Sequence, residues 1–268
     1  RLLSGDQLTS DATPLMVGPL PATVPGFTIH VAPDCPAIHS EMLTVELTGA
    51  GGYAATVDVV VWVGPWFDDA EADLAWTLGL PTDTATLGAW QRADPVGTTY
   101  GTPVQQVQPE DDHTPAPGTI CFVTGNGVAG EAAGANDVDG GTTTLLSPTF
   151  DVTGATSVTL SYWRWYTNNL GNNPSQDAWR VEASADGQTW IALENTMAST
   201  NTWAQQSFDI GAFVLLNGSV RFRFLADDQP AGSLVEAAVD DITLTIVRSA
   251  STAVEGGAQT VISGLGLV

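Results

Sequence analysis

Lysine is missing altogether. The seven basic residues are all Arg, against 30 Asp and Glu, and the formal net charge is −23. Thirty acids in 268 residues is an ordinary share, so the imbalance comes from the shortage of bases. That shortage excludes nucleic acid as a partner, because neutralising phosphates takes clustered Lys or Arg. It argues equally against attachment to anionic membranes. Long apolar runs are also lacking. The best candidate, VDVVVWVGPWF at 57–67, reads as a strand and a turn, and falls short of the ~18 residues of a membrane-spanning helix, so no membrane insertion is expected. Helical periodicity is almost absent. So are catalytic signatures: there is no His-Glu-x-x-His, no Gly-x-Ser-x-Gly and no phosphate-binding loop. His30, Cys35 and His39 lack a fourth zinc ligand. The only two cysteines, Cys35 and Cys121, allow one disulfide or two buried thiols. The chain starts at Arg1 rather than Met, which implies that an upstream part has been removed.

What the chain does contain is β-sheet material. Short alternating runs rich in Val, Thr, Trp, Tyr and Phe recur between Gly, Pro, Asn and Asp, the pattern of an all-β sandwich. Hydrophobic residues make up 43 %, enough for a packed core. Residues 1–64 carry three strand-like runs, at 25–31, 42–47 and 55–64, with a turn at 49–52 between the last two. That is short of the ~100 residues and seven strands of an immunoglobulin-like sandwich, so a smaller, incomplete immunoglobulin-like β unit is expected. Residues 65–248 form the main unit. Its strands read at 156–166, 178–185, 189–194, 219–226 and 237–247, with Asp186-Gly187 as a hairpin signal. Antiparallel strands of this number with long loops predict a jelly roll. The tail, 249–268, is polar until TVISGLGLV, which reads as a strand in search of a sheet edge.

The acids suggest a cation, and calcium is the commonest such partner outside cells. In AAVDDITLTIV, strict alternation puts Asp240 in phase with Ile242, Leu244 and Ile246, and Asp241 with Thr243 and Thr245. A carboxylate on a core face needs a partner or a metal; otherwise it lies outside the strand and caps a turn. Asp69 and Glu71 open the main unit, and Asp112 precedes the strand GTICFV. Asp137-Val138-Asp139-Gly140 starts like a calcium loop, but the closing Glu of an EF-hand would fall on Pro148. Asp137 and Asp139 therefore read as either a second cation loop or a solvated turn.

These residues carry a resemblance. Phe67-x-x-x-Glu71, Asp112-His113-Thr114, Leu146-Ser147-Pro148, the aromatic strand SYWRWY and Val239-Asp240-Asp241-Ile242 occur in that order. The stretch 67–247 resembles the MAM-type jelly roll, a module of secreted proteins that also trails bacterial metallopeptidases beside immunoglobulin-like domains. The resemblance implies a cation held by Glu71, Asp112 and Asp240. The Phe-Glu pair of the family is spread out here, so Asp69 is an alternative to Glu71. The family's disulfides have no counterpart beyond the single Cys121.

Trp163 and Trp165 share one face of SYWRWY, with Arg164 and Tyr162 on the other. Exposed, such aromatics and Arg164 would suit sugar rings; buried, they fill a sandwich core. The expectation is a non-catalytic, calcium-stabilised extracellular or cell-surface module that binds a glycan or protein. Two other readings stand beside it. One is a self-assembling protein whose terminal strand completes a neighbour's sheet, giving homo-oligomers or filaments. The other is an appendage of a secreted metallopeptidase.

Overall fold

The computed structural model describes residues 28–29, 39–49, 53–229, 232–248 and 260–261. The chain divides into two units, 65–248 and a smaller one formed by 1–64 with 249–268. In the smaller unit, β1 is Thr28–Ile29, β2 is His39–Gly49 and β3 is Tyr53–Val63. β2 and β3 pair antiparallel along their whole length, from His39 opposite Val63 to Gly49 opposite Tyr53. The expected turn residues 50–52, and Cys35, lie outside the described residues. The tail contributes the last strand, β18 (Thr260–Val261), which pairs antiparallel with β1 of the same chain.

The larger unit is an antiparallel jelly-roll β-sandwich. Its strands are β4 (Trp66–Asp68), β5 (Thr77–Leu78), β6 (Trp90–Ala93), β7 (Thr98–Tyr100), β8 (Gln105–Gln108), β9 (Cys121–Thr124) and β10 (Thr142–Leu146). They continue as β11 (Phe150–Asp151), β12 (Ala155–Thr167), β13 (Trp179–Ser184), β14 (Ile191–Thr196), β15 (Ala204–Asp209), β16 (Ser219–Asp227) and β17 (Glu236–Arg248). One sheet runs β15-β12-β17-β9-β6, with β4 added beside β17; the other runs β14-β13-β16-β10-β5, with β11 beside β16.

The two sheets meet through alternate residues. On β16, Val220, Phe222 and Phe224 are buried while Arg221 and Arg223 point outward. On β12, Val158, Leu160 and Tyr162 do the same against Ser157, Thr159 and Ser161. Between the sheets, Tyr162, Tyr166, Trp179, Phe122, Phe222, Phe224 and Leu145 form one core. Trp179 lies 6.2 Å from Trp90 and Tyr162 5.0 Å from Phe224, both edge to face. Such ring pairs add ~0.5–1.5 kcal/mol each beyond the area they bury.

Alternation fails on β12 beyond Trp163, where Arg164 to Thr167 are all buried. A second layer causes this. The β7–β8 hairpin lies over the outer face of the β12 sheet, and the Val107 carbonyl of β8 accepts from Trp165 Nε1 and Thr167 Oγ1, both at 2.8 Å. Trp165 therefore packs with Cys121, Val123 and Ala238 in a small satellite cluster. Cys121 is a free, buried thiol.

The Asp186-Gly187 signal gives a wider connection than a two-residue hairpin. β13 ends at Ser184 and β14 begins at Ile191. The Asp186 carboxylate accepts from the Gln188 and Thr189 amides at 2.8 and 2.7 Å, a local closure that competes with the strand ladder.

Candidate metal centre and ligand face

Strict alternation misplaces Asp240, and the reason is a bulge. Ser161 of β12 faces Thr243, but Trp163 faces Asp240, so Asp241 and Ile242 together oppose Tyr162 alone. Asp241 takes the extra position with φ +45°, a left-handed conformation that Asp tolerates better than most residues. The bulge resets the phase of β17. Val239 and Ala237 join the main core before it, and Ile242 and Leu244 after it. Asp240 is thus in phase with Ala238 of the satellite cluster, not with Ile242, Leu244 and Ile246.

Asp240 is fully buried there, under the loop that follows β8. One carboxylate oxygen accepts from the His113 and Thr114 amides at 2.8 and 3.1 Å; the other accepts from the Asp241 amide at 2.8 Å. Asp241 holds the same loop through His113 Nδ1 at 2.6 Å and Thr114 Oγ1 at 2.9 Å. Burial pushes the proton affinity of Asp240 up to about 7, against the pull of those amides.

Glu71 reaches this corner from the β4 side. Its Oε1 accepts from the Thr119 and Ile120 amides at 2.6 and 2.7 Å, just before β9. Asp112 completes the group. Its carboxyl is raised first by burial and then by the charges of Glu71, Asp241, Asp111 and Asp94. Asp112 Oδ2 is buried without a hydrogen-bond partner. Beneath them the Cys121 thiol, raised chiefly by burial, also feels Asp240, Asp112, Asp94 and Glu71. The structure therefore gathers Glu71, Asp112, Asp240 and Asp241 around one corner. Asp69 is engaged locally, accepting from the Glu71 amide at 3.2 Å. Asp137 and Asp139 belong to a separate acidic group with Asp228.

An all-oxygen donor set with an orphaned, buried carboxylate oxygen and mutually repelling charges suits a hard cation. Among the described residues, no three His, Cys, Asp or Glu side chains are already gathered as a metal site. Backbone carbonyls and water would have to supply part of the shell.

The expected sugar-binding trio does not form a surface. Arg164 points between the sheets, 4 % exposed, and pairs across them with Glu194 of β14. Glu194 also accepts from Tyr162 at 2.5 Å and Trp179 Nε1 at 2.9 Å. Trp165 is covered by β8, and Trp163 is half-buried beneath the His113 ring, which stacks on it at 3.7 Å. Alternation places these residues on the right faces; the hairpin and the cross-sheet ion pair cover them.

A different aromatic surface lies on the outer face of the β13 sheet. Arg223 sits over the Trp190 ring at 4.4 Å and pairs with Glu182 at 2.5 Å. Arg180 pairs with Asp227 at 3.3 Å in the neighbouring rows. Arg221 is one row further along, and its guanidinium donates to the Ser147 carbonyl at 2.8 and 3.1 Å. The sequence shows the Arg alternation of β16; Trp190 keeps the phase of Ala192, which flanks Glu182 on one side as Arg223 does on the other, so β13 brings these outward residues together.

No family model and no curated protein matches the chain. Solved structures overlap loosely. The K1 cleaved adhesin domain of Lys-gingipain from Porphyromonas gingivalis is 14 % identical with a TM-score of 0.41, covering 68 % of this chain and 97 % of its own. A family 11 carbohydrate-binding module from Clostridium thermocellum, in complex with a β-1,3-1,4-mixed-linked tetrasaccharide, is 11 % identical with a TM-score of 0.37, covering 68 % and 94 %. The enzymatically active domain of tailspike protein 4 of bacteriophage CBA120 is 12 % identical with a TM-score of 0.40, covering 67 % of this chain but 20 % of that one.

Proposed function

We propose that this chain is a non-catalytic extracellular module that binds carbohydrate on the outer face of the β13 sheet and is stabilised by calcium at the Asp240 corner. The observation that carries the first part is the row of alternating charges around one indole: Arg180 with Asp227, Glu182 with Arg223, and Arg223 over Trp190. A sugar ring has an apolar C–H face and a rim of hydroxyls. An indole receives the first, and fixed guanidinium and carboxylate groups receive the second with directional hydrogen bonds. The test is retardation in native gels cast with soluble polysaccharides of different linkage. Wild-type protein should be retarded by at least one of them, and Trp190→Ala should weaken that interaction tenfold or more, about 1.4 kcal/mol. Equal retardation of the two proteins would remove the sheet face from consideration.

Glu71, Asp112 and Asp240, joined by Asp241, would hold the calcium. Bound there, it would supply a fixed positive charge to carboxylates that otherwise repel one another. Ligand binding to the folded state alone raises stability by about 2.7 kcal/mol at a hundred times Kd. Calcium should therefore raise the melting temperature over an EDTA control, and Asp240→Asn should reduce that increment. An unchanged melting temperature in saturating calcium would sink this part of the reading.

A further inference from the structure

A second acidic group differs from the first in lying between three loops. The β9–β10 loop, the β12–β13 loop and the β16–β17 loop are tied together by main-chain bonds. Val138 donates to the Val235 carbonyl at 2.9 Å, Asp228 to Gly141 at 3.0 Å, Leu234 to Leu170 at 3.0 Å and Asn172 to Gly232 at 2.7 Å. Each loop brings in one nearly inaccessible carboxylate: Asp137 at 2 %, Asp177 at 1 % and Asp228 at 0 % exposure. Two of them are half-satisfied. Asp228 Oδ2 accepts from the Gly140 amide at 3.0 Å and Asp177 Oδ1 from the Gln229 amide at 2.8 Å. The other oxygen of each, Asp228 Oδ1 and Asp177 Oδ2, is buried with no hydrogen-bond partner. Ser233 lies near both as a weak donor, its hydroxyl lowering the proton affinity of Asp177 and its amide that of Asp228.

The electrostatics are one-sided. Burial raises the proton affinity of all three groups, Asp137 to about 7. The charges that bear most on them are other acids: Asp139 and Asp228 on Asp137, Asp177 and Asp139 on Asp228, and Asp227 on Asp177. Asp227 has Arg180 as its own partner. Buried carboxylates are ordinarily paired or bound to a metal, because an uncompensated one is expensive to keep.

We infer that Asp137, Asp177 and Asp228 form a second divalent-cation site, selective for calcium and separate from the Asp240 corner. The two orphan oxygens, one from each of two loops, are its anchors, and Asp139, which is half-exposed, lies at its rim. Calcium accepts six to eight oxygens in irregular arrangements, whereas magnesium demands a tight octahedron. Carboxylates drawn from three separate loops favour the larger, more permissive ion. Among the described residues no three such side chains are already gathered as a metal site, so binding would turn the orphan oxygens toward one another and fasten the three loops together.

Equilibrium dialysis of the full chain against calcium at neutral pH tests this. Asp228→Asn should lose one class of bound calcium and retain the class that Asp240→Asn removes. In EDTA, Asp228→Asn should melt at or above the wild-type temperature, since it deletes an uncompensated charge. Should that variant fail to fold, Asp177→Asn carries the same prediction. Loss of a calcium in Asp228→Asn but not in Asp240→Asn would support this site while refuting the first. Unchanged calcium stoichiometry in both Asp228→Asn and Asp177→Asn would overturn the inference and leave protonation as the way these carboxylates are accommodated.

Discussion

Glu236 shows what a single buried acid does to this sandwich. It is 1 % exposed at the start of β17, where its Oε2 accepts from Thr124 Oγ1 at 2.9 Å. Burial, reinforced by the Asp137 charge, holds its proton affinity well above the usual carboxylate range. A folded-state pKa above the unfolded one means that the folded protein binds the proton more tightly. The stabilisation is complete below the unfolded value of about 4.3 and is lost as pH rises through the folded value. In calcium-free buffer, stability should fall from pH 5 upward, and Glu236→Gln should flatten that fall and raise the melting temperature at pH 8. Parallel pH profiles of wild type and variant would show that Glu236 does not carry the effect.

At the scale of the element, β17 is decisive. One extra residue lets a single strand serve the main core with Val239 and Ile242 and still present Asp240 to the outer loop. The placement of Asp240 and Asp241 in the candidate metal centre goes with the left-handed conformation of Asp241. A β-branched residue there meets a steric penalty of roughly 1–2 kcal/mol that Gly escapes. Asp241→Val should therefore be less stable than Asp241→Gly by about that amount in urea unfolding. Both variants lose the same bonds to His113 and Thr114, so their difference isolates the backbone. Equal stabilities would mean that the bulge relaxes.

At the scale of the whole molecule, the ends of the chain matter for assembly. β18 pairs with β1 within one chain, through two residues of each among the described residues. The same pairing donated between copies would build oligomers or filaments. Because the pairing is internal here, deletion of residues 258–268 should leave the native particle size unchanged in light scattering. A fall in size on deletion would instead favour exchange of the tail between molecules. Among the described residues no helix is long and apolar enough to cross a membrane.

The antiparallel jelly-roll sandwich was legible in the sequence because alternation is local: each strand of Val, Phe or Tyr against Arg, Ser or Thr declares its own faces. The same local signal drew attention to Asp240 and Asp241. It failed where partners decide. The bulge that turns Asp240 away from the core arises from the register between β17 and β12. The burial of Trp165 follows from a hairpin more than fifty residues upstream. Arg164 is occupied by Glu194 from the opposite sheet, and Trp190 gains its place beside Arg223 from the pairing of both strands with β13. Asp177 and Asp228 carried no motif at all, since their loops join that of Asp137 only through main-chain bonds between residues far apart in the chain. Composition and period determine which surfaces exist. Cross-strand register and loop closure, set by contacts between residues far apart in the chain, decide which groups share a site and which are covered.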